Sequence, residues 1–240
     1  MTTKSLSKQA EIQYRTSLRK IAQAVGDIVS GGYDGSNDSV TEIMDALDAY
    51  SQKIEGWAGR VATRFADTIA RQNEHEWKQN SQHISAELRH IIQNTSTGQV
   101  MQSIVAEQIK YIKSLPLEAA DRIYDIQNRA IEAVSAGGRA APFAKEIAAS
   151  GDVAASRARL IARTEIGRAT TALTQARALA IGSDGYIWRT ADDGDVRHSH
   201  EEMEGKFVAW TNPPTLDGLT GHAGALPNCR CWCEVVIPDK

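Results

Sequence analysis

No stretch of this chain approaches the about 18 consecutive apolar residues of a membrane span, and its N-terminal MTTKSLSKQAEIQYR lacks the apolar centre of a secretory signal. An excess of one charge is also missing. Lys and Arg number 27 against 30 Asp and Glu, a formal net charge of −3 with a pI near 6.1, so no global basic field advertises nucleic acid and no acidic tail is expected. Cysteine is scarce: three residues, all inside PNCRCWC at 227–233. Such crowding excludes the separated loops of a secreted disulfide framework and points to a reducing compartment. The chain is therefore expected in the cytoplasm or inside an assembly made there, with no membrane partner.

What is present is an ordinary globular composition. At 240 residues, 42% hydrophobic and 24% charged, the chain can bury one large core or two small ones. Leu18, Ile21, Ala22, Val25, Ile28 and Val29 share a face of a helix expected over about 5–30, which the glycine-rich SGGYDGSND ends. A second helical tract over about 40–93 carries Ile43, Leu47, Tyr50, Ile54, Trp57, Val61, Phe65 and Ile69 at steps of three or four, with a break expected near Gly56, Gly59 or residues 73–81. A helix over about 99–113 and another over about 117–135, opened by Pro116, follow. The second of these is expected to turn Ala120, Ile123, Tyr124, Ile131 and Val134 inward. After a short helix in APFAKEIAAS, a long one over about 152–181 shows a stripe of small apolar residues, Ala169, Leu173, Ala176 and Ala180.

Beyond Gly182 the character changes to short β-prone runs, YIWRT and KFVAW, between Asp and Gly turns. The expected class is α+β: a helical region over 1–135, suited to docking, then a C-terminal domain over 140–240 with a long helix and short antiparallel strands. The helical region holds no catalytic constellation, and His75, His83 and His90 read as solvent-facing.

The chemically loaded residues lie in the C-terminal domain: Asp192, Asp193, Asp195, Arg197, His198, His200, Glu201, Glu202, His222, Cys229, Cys231 and Cys233. Thiolate and imidazole are zinc's usual ligands, so Cys229, Cys231, Cys233, His198, His200 and His222 are metal candidates, although C-x-C is not the usual zinc spacing. The alternative is structural. With a strand's period of two, Cys229, Cys231, Cys233, Val235 and Ile237 fall on one face, and cysteine packs as a small hydrophobe. A disulfide between neighbours on one strand face is sterically awkward. Hydrolysis, with His198 or His200 as base, a cysteine nucleophile and Asp195 as orienter, lacks the small-residue elbow. The zinc deaminase pattern does not match. Along the long helix, Arg157, Arg159, Arg163, Arg168 and Arg177 form either a solvated face or, for Arg157, Arg159, Arg168 and Arg177 in particular, a contact surface for DNA phosphates or an acidic partner.

Four separated stretches, LIARTEIGRA (160–169), the W-R-T-x-D-x-x-D-V-R-x-x-H run (188–200), M-E-G-K-F (203–207) and PNCRC, occur in an order that resembles the phage Mu protein F-like, or head morphogenesis, family of tailed bacteriophages. By this resemblance Arg163, Thr164 and Glu165 match the family's R-T-E, Asp195 and Arg197 its D-x-R, and His200 its histidine. Gly205 matches its glycine, and Asn228, Cys229, Arg230 and Cys231 its N-C-R-C. The resemblance implies a minor head protein of the virion that joins the procapsid, commonly with the portal and other head proteins, with packaged DNA as a further partner. No cofactor is expected, with zinc at the Cys and His candidates as the exception. Relatives often carry C-x-x-C near the D-x-R segment and a histidine just before N-C-R-C, where this chain has His198 and His200 and places His222 seven residues before Cys229. Arg163, Glu165, Asp195 and Arg197 are expected to form ion pairs that lock the helix to the following β-unit. A rival reading is an NAD-using enzyme like the ADP-ribosyltransferases, in which Glu165 would carry the chemistry.

Overall fold

The computed structural model describes residues 3–80, 85–137, 139, 141–191 and 194–238. In chain order its elements are α1 (Thr3–Gly32), α2 (Asn37–Lys53), α3 (Glu55–Asn80), α4 (Ala86–Asn94), α5 (Gly98–Ser135), α6 (Ala141–Ala148), α7 (Ser150–Ala180), β1 (Gly185–Arg189), α8 (His198–Glu201), β2 (Phe207–Ala209), β3 (Thr215–Leu216), β4 (Leu219–Thr220) and β5 (Trp232–Val235). The class is α+β, helical first and then small antiparallel sheets, as the patterning requires.

Two compact units divide the chain, one from residues 1–12, 63–105 and 163–240, the other from 13–62 and 106–162. The division runs through the long helices α1, α3, α5 and α7. Within the second unit, the periodic residues of α1 and α2 are buried: Leu18, Ile21, Val25, Ile43 and Leu47. Ser36 caps α2, its hydroxyl accepting from the Ser39 N–H at 3.0 Å. Tyr14 donates its hydroxyl to Gln108 Oε1 at 2.7 Å, and Ser51 donates to the Lys113 carbonyl at 3.0 Å. Gly26 and Gly151 let α1 and α7 approach closely, since a Cβ on Gly151 would stand 2.8 Å from the Gly26 Cα.

Several boundaries differ from the sequence expectation. The tract over 40–93 breaks first at Ile54, just before Gly56, and α3 runs unbroken through both glycines and the polar residues to Asn80. Pro116 does not open a new helix; it lies inside the single helix α5. Burial of Ile112, Leu115, Ala119, Ala120 and Ile123 around it offsets the backbone hydrogen bond that proline forgoes. The same helix corrects the inward face: Ala120 and Ile123 are buried, but Tyr124, Ile131 and Val134 are about half exposed, at 52%, 49% and 51%. On α7, Ala169 and Leu173 are buried as expected, whereas the helix turns Arg177 and Ala178 inward in place of Ala176 and Ala180.

In the first unit, three strands pair antiparallel in the order β2-β1-β5. Tyr186 opposes Val208 and Val235, and Trp188 opposes Cys233. A second ladder, β3 with β4, turns on Asp217 and Gly218, both at positive φ (52° and 79°), the geometry a two-residue Asp-Gly hairpin turn demands. The core of this unit gathers Trp77, Ala178, Ile181, Tyr186, Trp188, Val208, Trp210, Ala223, Leu226, Cys229 and Cys231.

One close contact sets where the cysteine loop lies. A Cβ on Gly167 of α7 would stand 2.2 Å from the Gly224 carbonyl oxygen, and Gly224 itself has φ +83°. Replacing Gly167 by Ala is therefore expected to destabilise the protein by about 1–3 kcal/mol, whereas Gly59→Ala, in open space on α3, should be neutral or stabilising by up to about 1 kcal/mol. Urea unfolding of the two variants beside the parent measures both.

Candidate functional site

The site is built on one face of α7. Thr164, Gly167 and Thr171, at helical spacings of three and four, meet the segment 223–228. The Asn228 N–H donates to Thr164 Oγ1 at 3.2 Å, and Thr171 Oγ1 donates to the Ala223 carbonyl at 2.7 Å. Asn228 takes the left-handed conformation, φ 55°, which asparagine tolerates better than most residues. The turn it makes aims Cys229 and Cys231 inward, and β5 begins only at Trp232. Inward and outward positions still alternate from 229 to 237, so the two-residue period is real even though the strand is short.

Opposite this turn stands α8, whose His200 is 2% exposed. Its Nδ1 lies 3.4 Å from Cys229 Sγ and 3.5 Å from Cys231 Sγ. The three donor atoms lie within 4.8 Å of one another and all three residues are buried. Trp188 packs edge-on against the imidazole, with centroids 5.6 Å apart at 88°. On the far side of the ring, Arg197 Nη1 lies 3.4 Å from Nε2, while its Nη2 donates to the Pro227 carbonyl.

The two thiols differ sharply in acidity. Cys229 is held well below the ordinary thiol value, first by a hydrogen bond from the Cys231 thiol and then by the backbone N–H groups of Cys231 and Gly224, against the opposing effect of burial. Cys231 is pushed up because it donates that hydrogen bond and because it is buried. Cys233 sits apart. Its Sγ faces the Ala223 carbonyl at 3.7 Å, and burial raises its thiol.

Of the six metal candidates the structure brings together His200, Cys229 and Cys231. His198 is 85% exposed beside Glu201 and Glu202. His222 belongs to an aromatic cluster, its Nδ1 3.2 Å from the Tyr186 hydroxyl and its ring edge-on to Trp210. The Ala223 N–H donates to that same hydroxyl at 3.0 Å, and burial raises the Tyr186 phenol far above its usual value.

The expected ion-pair lock uses other partners. Glu165, 3% exposed, accepts from Arg168 at 3.2 Å, and Asp195 pairs with Arg230 at 3.5 Å. Arg163 is half-buried on α7. The helix is joined to the cysteine loop by the Thr164 and Thr171 hydroxyls instead, which suits a close contact too tight for long side chains. Among the arginines considered for phosphate or partner contact, Arg157 binds Glu118 at 2.9 Å and Arg159 bonds Ser156 Oγ at 2.9 Å. Arg177 is buried, not solvent-facing, and donates to Asn73 Oδ1 at 3.0 Å. His75 and His90 are exposed. Asp192, Asp193 and His83 lie outside the described residues.

Two contributors escaped the sequence reading although both sit in quoted motifs. Glu204 accepts from Arg189 at 2.9 Å and from the Thr190 N–H at 2.6 Å, tying the end of β1 to the turn after α8; these bonds hold its carboxyl below the usual range. Gly205, at φ 74°, returns its N–H to the Trp188 carbonyl at 2.9 Å. Trp188, buried against His200, is the second.

Residues 124–234 match the family described as Phage Mu protein F like protein. Residues 124–234 form a Mu F-like domain. The match spans α7, the sheet and the whole His200, Cys229 and Cys231 group. A curated relative, an "Uncharacterized protein" of Haemophilus influenzae (strain ATCC 51907 / DSM 11121 / KW20 / Rd), is 27% identical over 245 residues, which cover 94% of this chain and 53% of the relative. The chain thus spans about half the length of the curated relative it matches. No solved structure matches. Among the described residues no helix is long and apolar enough to cross a membrane.

His222 supplies a pH test of this packing. Burial holds its imidazolium below the usual value of about 6.5, so on acidification the unfolded chain takes up this proton first. The His222 contribution to stability is complete above about pH 6.5 and is lost as pH falls through that value toward the lower folded pKa. The urea midpoint should drop between about pH 7.5 and 5.5, and His222→Gln should flatten that slope. An identical slope in the variant would remove His222 as its source.

Proposed function

We propose that this protein is a minor head protein of a tailed bacteriophage, acting in procapsid assembly in the host cytoplasm and retained inside the virion head in association with the portal. The match of residues 124–234 to the Mu F-like family carries this reading. No catalytic step belongs to it: Glu165, the residue an NAD-using enzyme would need, is buried against Arg168. Docking is assigned to the helical part of the chain, where Leu117, Tyr124, Ile131 and Val134 leave α5 with exposed apolar side chains of the kind a partner helix covers.

Co-expression with the portal and major capsid proteins of the same phage tests the proposal. The protein is expected to sediment with assembled heads in low copy number and to be pulled down by the portal. A Tyr124→Ser, Ile131→Ser double variant, both positions being half exposed, should fold normally by circular dichroism yet lose at least about three-quarters of that association, a difference of roughly 1 kcal/mol. Heads that assemble with the parent protein wholly excluded would overturn the assignment.

A further inference from the structure

We propose that His200, Cys229 and Cys231 form a zinc site with three protein ligands. The donor set comes first: two thiolates and an imidazole are what zinc prefers, whereas iron–sulfur clusters are generally held by four cysteines or by cysteine with paired histidines. Geometry agrees. Zinc bonds of about 2.3 Å to sulfur and about 2.05 Å to nitrogen, in a tetrahedron, separate N from S by about 3.5 Å. Here the Nδ1 to Sγ distances are 3.4 and 3.5 Å.

The surroundings suit a ligand set. Trp188 packs edge-on against the His200 imidazole, and its indole nitrogen is buried with no hydrogen-bond partner among the described residues. Outer N–H groups of this kind orient and support metal ligands. Arg197 is compatible with loading. Coordination through Nδ1 puts the ring proton on Nε2 and ends the 3.4 Å contact with Nη1, while Nη2 keeps the Pro227 carbonyl. The three proposed ligands all belong to the first unit.

The test uses the full chain. Protein purified without chelator is expected to hold about one zinc per chain by elemental analysis. Two thiols should then be protected, becoming reactive when a chelator removes the zinc without unfolding the protein. Cobalt(II) added to the stripped protein should produce the near-ultraviolet thiolate charge-transfer band and the intense visible bands of a tetrahedral site. His200→Gln should weaken cobalt binding by at least about tenfold, while His198→Gln and Cys233→Ser should bind as the parent does. If Cys229→Ser fails to fold, the cobalt spectrum of the unsubstituted chain still decides. No retained zinc and no charge-transfer band, with thiols that react only on unfolding whether or not chelator is present, would overturn the site and leave a hydrogen-bonded thiol cluster.

Discussion

The backbone contact between Gly167 and Gly224 is the constraint on which the C-terminal chemistry depends. A side chain on Gly167 would occupy the space of the Gly224 carbonyl, so the helix accepts the loop only because that space is empty. Thr164 and Thr171 then fasten the loop on either side. Their hydroxyls satisfy backbone groups that would otherwise be buried without partners. The cysteines inherit their position from this seat, and His200 meets them because Glu204 and Gly205 fix the turn after α8 against β1.

A small set of polar bonds thus positions a largely apolar cluster. Tyr186, Trp188 and Trp210 supply the bulk, and each polar tip is accounted for differently. The Tyr186 hydroxyl accepts from the Ala223 amide and meets His222; the Trp210 indole donates to Ser183 at 3.4 Å. Only the Trp188 indole has no hydrogen-bond partner among the described residues. In a densely packed interior that asymmetry is informative, because burying a polar group without a partner costs about 1–3 kcal/mol.

Helices were legible in the sequence wherever one apolar stripe ran long enough, as from Ile43 to Ile69. Their ends were less so. Pro116 read as a start because proline's local preference is strong, yet the packing of Ile112, Leu115 and Ile123 decides the matter. Tyr124, Ile131 and Val134 share the period of the buried residues but face out, since spacing identifies a stripe without saying what covers it. At the site, alternation from Cys229 to Ile237 placed the cysteines inward, and the quoted motifs named His200. Which histidine meets them follows from the Asn228 turn and the Gly205 turn, and backbone turns of this kind are read from coordinates. The Asp217-Gly218 hairpin did carry a local signal, the Asp-Gly pair between short apolar runs.

Both compact units are assembled from stretches far apart in the chain, and this bears on how the protein comes to be folded. Trp77 belongs to the same core as Trp188 and Cys231, and Asn73 waits for an arginine 104 residues downstream. During synthesis the C-terminal part of α3 must therefore persist with its apolar face only partly covered until the last strand has left the ribosome. Closure over such distances is slow, and exposed faces invite association meanwhile. Point changes in the cysteine loop would then be felt as lower yield of folded chain before they are felt in the finished molecule.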